Sequence, residues 1–351
     1  MKITHEMGVA LPDTTITTGD PVFLDVRKPP FTLHGFCEPF RRVPADVAEK
    51  TSEKVVRIAP MGAGGRVRFK TDSDYIIVHA KLGYREMALL MSQLSCQSFD
   101  MYFYEDGEQK FAGVFVPSQG DDKDYIECRL RFDGKMHDVI INFPILSCVE
   151  ELCVGLRLGS NIEAPSQYKH KTPIVFYGSS IVHGVGAGRP GMAYPLIISR
   201  LFDTDVLNLG FGAAAKAEDA IIDYMKTLDM SVFVYDYDHN APSQEYLRQT
   251  HYKGYRRIRD ARPDLPIIMA SKPDYWASPE SNEVRRRIII STYERAKSEG
   301  DTLVHFVDGK NMYDADMRNE FTSDNCHPND AGYVAMARAF AKEIGKYICI
   351  K

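Results

Sequence analysis

The sequence predicts two architectures in succession: an antiparallel β-sandwich or jelly roll over residues 1–165, then an α/β domain on a doubly wound, five-stranded parallel sheet over residues 172–351. Three observations carry this reading. The first part alternates apolar and polar residues with a period of two. The second alternates continuous apolar runs with stretches of helical spacing. Between them, Ala164 to Pro173 holds Pro165, Ser166 and the basic run Lys169-His-Lys171, a composition suited to a linker.

In Tyr125-Ile-Glu-Cys-Arg-Leu-Arg-Phe132, positions 126, 128, 130 and 132 are apolar, while Glu127, Arg129 and Arg131 are charged. That alternation marks a strand with one face buried and one wet. Leu152, Val154, Leu156 and Leu158 repeat it, and Val67 and Phe69 alternate with Arg66, Arg68 and Lys70. Turn chemistry separates the strands at Gly62 to Gly65, Glu105-Asp-Gly107, Pro117 to Asp122 and Asp133-Gly134. Short half-wet strands without amphipathic helices between them imply the sandwich.

In the second part the strand candidates are Ile174 to Tyr177, Val206 to Leu209, Val232 to Tyr235, Ile267 to Met269 and Leu303 to Val307. Continuous apolar runs are expected where helices cover both faces of a parallel sheet. Between two of them, Ala217, Ala220, Ile221, Tyr224, Met225 and Leu228 recur at helical spacing. Ligands of such a domain bind outside the carboxyl ends of the strands.

Composition excludes several classes. The 351 residues are 44% hydrophobic and 26% charged, ordinary for a globular chain. Lys and Arg total 43 against 48 Asp and Glu, a net charge of −5, so the global positive field of a nucleic-acid binder is missing. No apolar run approaches a membrane span, and Met1 to Thr15 has no apolar signal region. The seven cysteines, Cys37, Cys96, Cys128, Cys148, Cys153, Cys326 and Cys349, are odd in number, scattered and without a CxxC pair. We therefore expect free thiols in a reducing, cytoplasmic setting rather than a disulfide or zinc framework.

Residues able to do chemistry cluster at the strand ends. The first strand runs into Gly178-Ser-Ser-Ile-Val-His-Gly184. A sharp strand-to-helix turn there would expose Ser180 Oγ and turn backbone N–H groups toward a developing oxyanion. Near the C-terminus, Asp324-Asn-Cys-His-Pro-Asn-Asp-Ala-Gly332 precedes the helix of Tyr333, Met336, Ala337, Phe340 and Ile344, with Pro328 expected in its first turn. An Asp three residues before His327 can reach Nδ1–H and leave Nε2 to take a proton. The second strand ends in Asn208-Leu-Gly-Phe-Gly-Ala-Ala-Ala215 and the third in Asp236-Tyr-Asp-His-Asn240, which offer a backbone N–H near Gly212 or Ala213 and the amide of Asn240.

With these blocks in hand, the second part resembles the SGNH (GDSL-type) hydrolases: GSSIVHG, NLGFGAAAK, DYDHN and DNCHPND stand in family order over about residues 172–350. The resemblance implies a flavodoxin-like fold, Ser180 as nucleophile, His327 as general base and Asp324 as its orienting partner. It also implies an oxyanion hole from the Ser180 N–H, a block-two N–H (Ala213) and Asn240. The run GSSIVHGVGAGRPGMAYP looks like a subgroup with a β-sandwich ahead of the catalytic domain, and Ser98-Phe-Asp-Met-Tyr102 loosely matches its GxDLY segment. Carbohydrate esterases that remove acetyl groups share this plan.

Two departures from the family pattern stand out. Block one reads Gly178-Ser179-Ser180 in place of GDS, and block two reads Gly212-Ala213-Ala214 in place of Ser-Gly-Asn. The Ala213 Cβ could crowd the hole or disallow a positive φ, unless Gly212 takes the role. Asp236, Asp238 and His239 are weak metal candidates because the two carboxylates share a strand face that His239 does not. His183 is a candidate pocket residue, Trp276 a candidate sugar platform, and Arg285-Arg-Arg287 a solvated helix face. The expectation is a serine esterase for short acyl, acetyl above all, esters of a small molecule or glycan. It uses no cofactor or metal and engages neither nucleic acid nor membrane. The alternatives are an acyltransferase with the same triad and a non-catalytic glycan-binding protein.

Overall fold

The computed structural model describes residues 1–86, 90–116 and 125–349, so the turn expected at Pro117 to Asp122 lies outside the described residues. The chain forms two units that cross the sequence halves in two places. The first comprises Met1–Arg42, Pro60–Gln167 and Arg189–Gly191; the second comprises Val43–Ala59, Tyr168–Gly188 and Met192–Lys351. Sequence reading placed 43–59 with the strands. This segment instead forms two short helices, α1 (Ala45–Thr51) and α2 (Glu53–Ile58), and α1 packs on a helix of the second unit.

In the first unit ten strands follow: β1 (Pro21–Asp25), β2 (Thr32–His34), β3 (Arg66–Thr71), β4 (Tyr75–Arg85), β5 (Phe99–Glu105), β6 (Glu108–Phe115), β7 (Tyr125–Arg131), β8 (His137–Asn142), β9 (Ser147–Arg157) and β10 (Ile162–Glu163), with a helical turn α3 (Gln93–Gln97) before β5. They make an antiparallel four-stranded sheet, β1-β9-β4-β7, and a second sheet, β10-β3-β8-β5-β6, to whose β3 the short β2 also pairs. Alternate residues from both sheets fill one core: Ile76, Val78, Ala80 and Leu82 of β4 and Leu152, Val154 and Leu156 of β9 meet Val67 and Phe69 of β3 and Val139 and Ile141 of β8. The opposite face of β3 is not wet as its charges suggested. Arg66 and Arg68 are fully buried, with Asp138 at 3.4 Å from Arg68 and the Tyr104 ring beneath the guanidinium.

The loose GxDLY segment lies on β5. Its Asp100 is buried and accepts hydrogen bonds from Asn142 Nδ2 at 2.7 Å, Arg189 Nη1 at 2.7 Å and Gly191 N at 2.8 Å. One carboxylate thereby anchors Arg189–Gly191 within this unit.

The second unit is a five-stranded parallel sheet of β11 (His170–Gly178), β12 (Thr204–Gly210), β13 (Val232–Asp236), β14 (Ile267–Ala270) and β15 (Val304–Val307), in the order β12-β11-β13-β14-β15. All five expected strands form. Helices α4 (Ser180–His183), α5 (Tyr194–Phe202), α6 (Asp219–Thr227), α7 (Gln244–Ala261), α8 (Pro279–Ser298) and α9 (Asp330–Ile344) connect and flank them. The order reverses at β11, so the crevice at the carboxyl ends of β11 and β13 is the topological switch point where ligands bind in such sheets. Among the described residues no helix is long and apolar enough to cross a membrane.

Asp100→Ala removes the acceptor shared by three donors and breaks a buried ion pair. We expect a loss of about 3–5 kcal/mol, read as a lower urea midpoint for the first unit, with a smaller loss for Asp100→Asn. An unchanged midpoint for Asp100→Ala would refute the anchoring role.

Candidate active site

Parallel register sets the site. Gly178 of β11 stands opposite Gly210 of β12 and Asp236 of β13, so the loops after all three strands start from one level. A Cβ on Gly178 would lie 2.1 Å from the Asp236 carbonyl oxygen, so only glycine allows this approach. Ser179 then caps α4 by accepting from Ile181 N at 3.2 Å, and Ser180 is the first residue of that helix. The Ser180 N–H, in the first turn, makes no hydrogen bond to a described residue.

His327 and Asp324 sit at the tip of a tight hairpin. Thr322 bridges Pro328, and Ser323 N donates to His327 O at 2.9 Å. The sequence placed Pro328 inside the first turn of α9; it lies just before that helix, whose cap is Asn329, with Asn329 Oδ1 accepting from Gly332 N at 3.1 Å. Tyr333 of α9 donates through its hydroxyl to the carbonyls of Ile181 at 3.0 Å and Val185 at 2.7 Å, fixing the hairpin's helix against the helix that carries Ser180. Gly186, at φ +101°, lets the chain pass Pro328, whose carbonyl oxygen would lie 2.2 Å from a Cβ there.

These ties bring three expected residues into line. Ser180 Oγ is 3.0 Å from His327 Nε2, and His327 Nδ1 is 2.9 Å from Asp324 Oδ2. Asp324 Oδ1 also accepts from His327 N at 2.7 Å and Cys326 N at 3.1 Å. Partial burial pushes the Asp324 carboxyl upward, but these hydrogen bonds outweigh it and hold the group below its ordinary value. An ionised Asp324 accepts only, so Nδ1 carries the ring proton and Nε2 is left to accept from the serine hydroxyl.

The loop after β12 takes a form the sequence left in question. Ala213 does adopt a positive φ, +54°, and its N–H donates to Asn240 Oδ1 at 3.2 Å, while Asn240 Nδ2 donates to Phe211 O at 2.8 Å. Ala213 N–H is thus spent on Asn240. The Gly212 N–H has no acceptor among the described residues, and a Cβ on Gly212 would stand 3.4 Å from Ser180 Cβ, so Gly212 is the block-two amide beside the serine. Asn240 keeps a second Nδ2 hydrogen. His183 is buried next to Gly212 and away from the surface.

Behind this edge the structure pairs residues that sequence reading separated. Asp236, Asp238 and His239 do not converge on a point. Asp236 accepts from Tyr194 OH at 3.1 Å, and Asp238 is held by Arg285 Nε at 2.7 Å and Lys272 N at 3.2 Å. Arg285 is therefore a buried bridge rather than part of a solvated face; Arg286 binds Asp308 at 2.6 Å, and only Arg287 stays on the wet side. His239 Nε2 is 3.0 Å from Asp274 Oδ1, though not aligned as a hydrogen bond, and Cys326 Sγ is 3.8 Å from Nδ1. The His239, Asp274 and Cys326 ligand atoms lie within 4.8 Å of one another. Sulfur and carboxylate address opposite ring nitrogens, however, which suits a relay better than three ligands around one ion. No sequence signal marks these pairs, because each joins residues of different elements. Trp276 is 41% exposed, and the Arg318 guanidinium covers one face of its ring at 3.9 Å.

A hydrogen-bonded serine, histidine and carboxylate at the switch point of a doubly wound sheet, with unbonded backbone amides alongside, is equipment for acyl transfer through a covalent serine ester. Residues 171–345 match the GDSL-like lipase/acylhydrolase family, and residues 23–162 match the GxDLY N-terminus of SGNH-hydrolase-type esterases. The chain belongs to the SGNH/GDSL hydrolases and is a hydrolase of ester bonds.

Solved structures agree on the fold. A protein described as a GDSL-like lipase from Bacteroides ovatus superposes with a TM-score of 0.85 at 24% identity, over 94% of this chain and 99% of that one. The salicylyl-acyltransferase SsfX3 of a tetracycline biosynthetic pathway gives 0.74 at 19% identity, over 93% and 97%. A family two carbohydrate esterase from Clostridium thermocellum, solved with cellohexaose, gives 0.57 at 16% identity, over 82% and 93%. No curated protein sequence matches the chain.

Full burial raises the Asp236 carboxyl to about 8, above any plausible value in the unfolded chain. The folded state then binds the extra proton between about pH 4 and 8, so this group makes stability fall as pH rises through that window, by at most ~1.4 kcal/mol per unit. Asp236→Asn should flatten that slope of thermal midpoint against pH. An identical slope in wild type and variant would show that Asp236 does not titrate there.

Proposed function

We propose that the protein is a serine esterase that removes short acyl groups, acetyl foremost, from carbohydrate esters by way of an acyl-enzyme. The observation carrying this reading is the unbroken chain from Ser180 Oγ through His327 to Asp324, with links of 3.0 and 2.9 Å. Ser180 attacks the ester carbonyl as His327 Nε2 takes its proton, and Asp324 stabilises the imidazolium. The proton passes to the leaving alcohol oxygen. Water then enters and attacks the acyl carbon as His327 Nε2 takes its proton; His327 returns that proton to Ser180 Oγ as the acyl C–O bond breaks, releasing the acid and restoring Ser180.

The negative oxygen of each tetrahedral intermediate is received by the Ser180 N–H, the Gly212 N–H and the second Nδ2 hydrogen of Asn240. Gly212 takes the part that sequence alignment gave to Ala213, because the Ala213 N–H is bonded to Asn240 Oδ1. A small acyl group suits the close backbone around the serine, and the exposed Trp276 edge supports a sugar leaving group. If an alcohol replaced water in the second half, the same groups would perform acyl transfer. A transfer product in the presence of excess sugar acceptor would favour that reading, and glycan binding without turnover would favour a binding protein.

The test is a profile of p-nitrophenyl esters from acetyl to decanoyl for wild type and Asn240→Ala. We expect kcat/KM to be highest for acetyl and to fall with chain length, and Asn240→Ala to lose roughly 10²- to 10³-fold in kcat. A maximum at decanoyl would overturn the short-acyl reading, and an unaffected Asn240→Ala would remove Asn240 from the oxyanion hole.

A further inference from the structure

Next to the Asp324–His327 hairpin lies a small cavity of about 80 Å³, lined among others by Asp274, Trp276, Tyr313, Arg318, Asn319 and Asn325. Asn325 follows Asp324 directly, so the cavity adjoins the triad's own loop. Its charges are unbalanced. Asp274 is matched by Lys272 Nζ at 3.5 Å and His239 Nε2 at 3.0 Å. Arg318 is not matched: its guanidinium stacks 3.9 Å over the Trp276 ring, its Nε is buried without an acceptor, and it pairs with no carboxylate of a described residue. Lys310 Nζ adds a second positive charge, 5.6 Å from the same ring and 4.8 Å from that of Tyr275. Asp314, Asp316 and Glu320, on the turn that carries Arg318, are exposed to solvent.

We propose that this cavity receives a carboxylate and that the esterase proposed above acts on acylated sugar acids. A guanidinium stacked face-on against an aromatic ring keeps the edge of its planar donor fork free, and that edge matches a planar carboxylate. The two Nη groups at the end of that fork are not buried and have no hydrogen-bond acceptor among the described residues, so they are the donors open to a carboxylate. The sugar ring of such a substrate rests against the exposed part of Trp276, with its acylated hydroxyl toward the hairpin loop.

This assignment rests on the esterase reading, but it can be tested without turnover. Trp276 is the sole tryptophan, so its fluorescence reports binding directly. The full chain is titrated with methyl glucuronide, methyl glucoside and glucose 6-phosphate. Methyl glucuronide should quench or shift Trp276 emission with a Kd at least about 10-fold below that of methyl glucoside, the effect of one charge-assisted pair. Arg318→Ala should erase the difference and Arg318→Lys should restore part of it. Equal binding of glucuronide and glucoside by wild type would overturn the proposal, as would selectivity that survives in Arg318→Ala. Binding of glucose 6-phosphate as tight as that of glucuronide would replace a carboxylate subsite by a general anion site. Selective binding in a protein that turns over no ester would sink the esterase reading and leave the subsite standing.

Discussion

The parallel pairing of β11 with both β12 and β13 is the constraint on which the site depends. It sets Gly178, Gly210 and Asp236 side by side, and the chain leaves all three strands at one edge. Ser180, Gly212 and Asn240 are then close because their strands are in register, not because any of them attracts another. The fourth element of the site, the hairpin of Asp324 and His327, has no strand of its own in the sheet. It is positioned instead by α9, through two hydrogen bonds from Tyr333 to the backbone around α4. Geometry of this kind is fixed before substrate arrives, and catalysis by serine and histidine draws most of its advantage from such preorganisation.

Three carboxylates lie just behind that edge, and each is handled differently. Asp238 is paired with Arg285 Nε at 2.7 Å, Asp274 lies beside His239 and Lys272, and Asp236 meets a tyrosine hydroxyl and is driven upward by burial. Ionising all three would place like charges together in a medium of low permittivity. Keeping Asp236 protonated avoids that, and the arginine bridge from α8 ties the β13 loop to the helix layer. These contacts hold Asn240 and the residues before it without touching the reacting atoms.

Much of this was legible in the sequence. The five parallel strands announce themselves as apolar runs because both of their faces are covered, and the residues proposed as a triad stand in short blocks whose order follows the strand ends. What escaped reading shares one cause: its partner lies on a different element. Arg285 looked like one of three solvated arginines, because nothing in the helix pattern shows that Asp238 waits beneath it. Arg66 and Arg68 alternate with apolar neighbours as a wet face would, yet Asp138 and Tyr104 close over Arg68. The helices of 45–58 sit inside a run of strands in the sequence and belong to the other unit in space. At Ala213 the sequence left two outcomes open, a crowded hole or Gly212 in its place, and the loop geometry favours the second. The residue accepts the left-handed conformation at a cost of about 1–2 kcal/mol, and the neighbouring glycine is left to face the serine.

The account rests most heavily on Ser180 as the atom that becomes acylated. The direct measurement is hydrolysis of p-nitrophenyl acetate by wild type and Ser180→Ala side by side, with mass spectrometry of the quenched wild-type reaction. The account predicts turnover in wild type, an acetyl group on the peptide containing Ser180, and background rates in the variant. Equal turnover by both proteins, or acetylation at another residue with Ser180 unmodified, would contradict it.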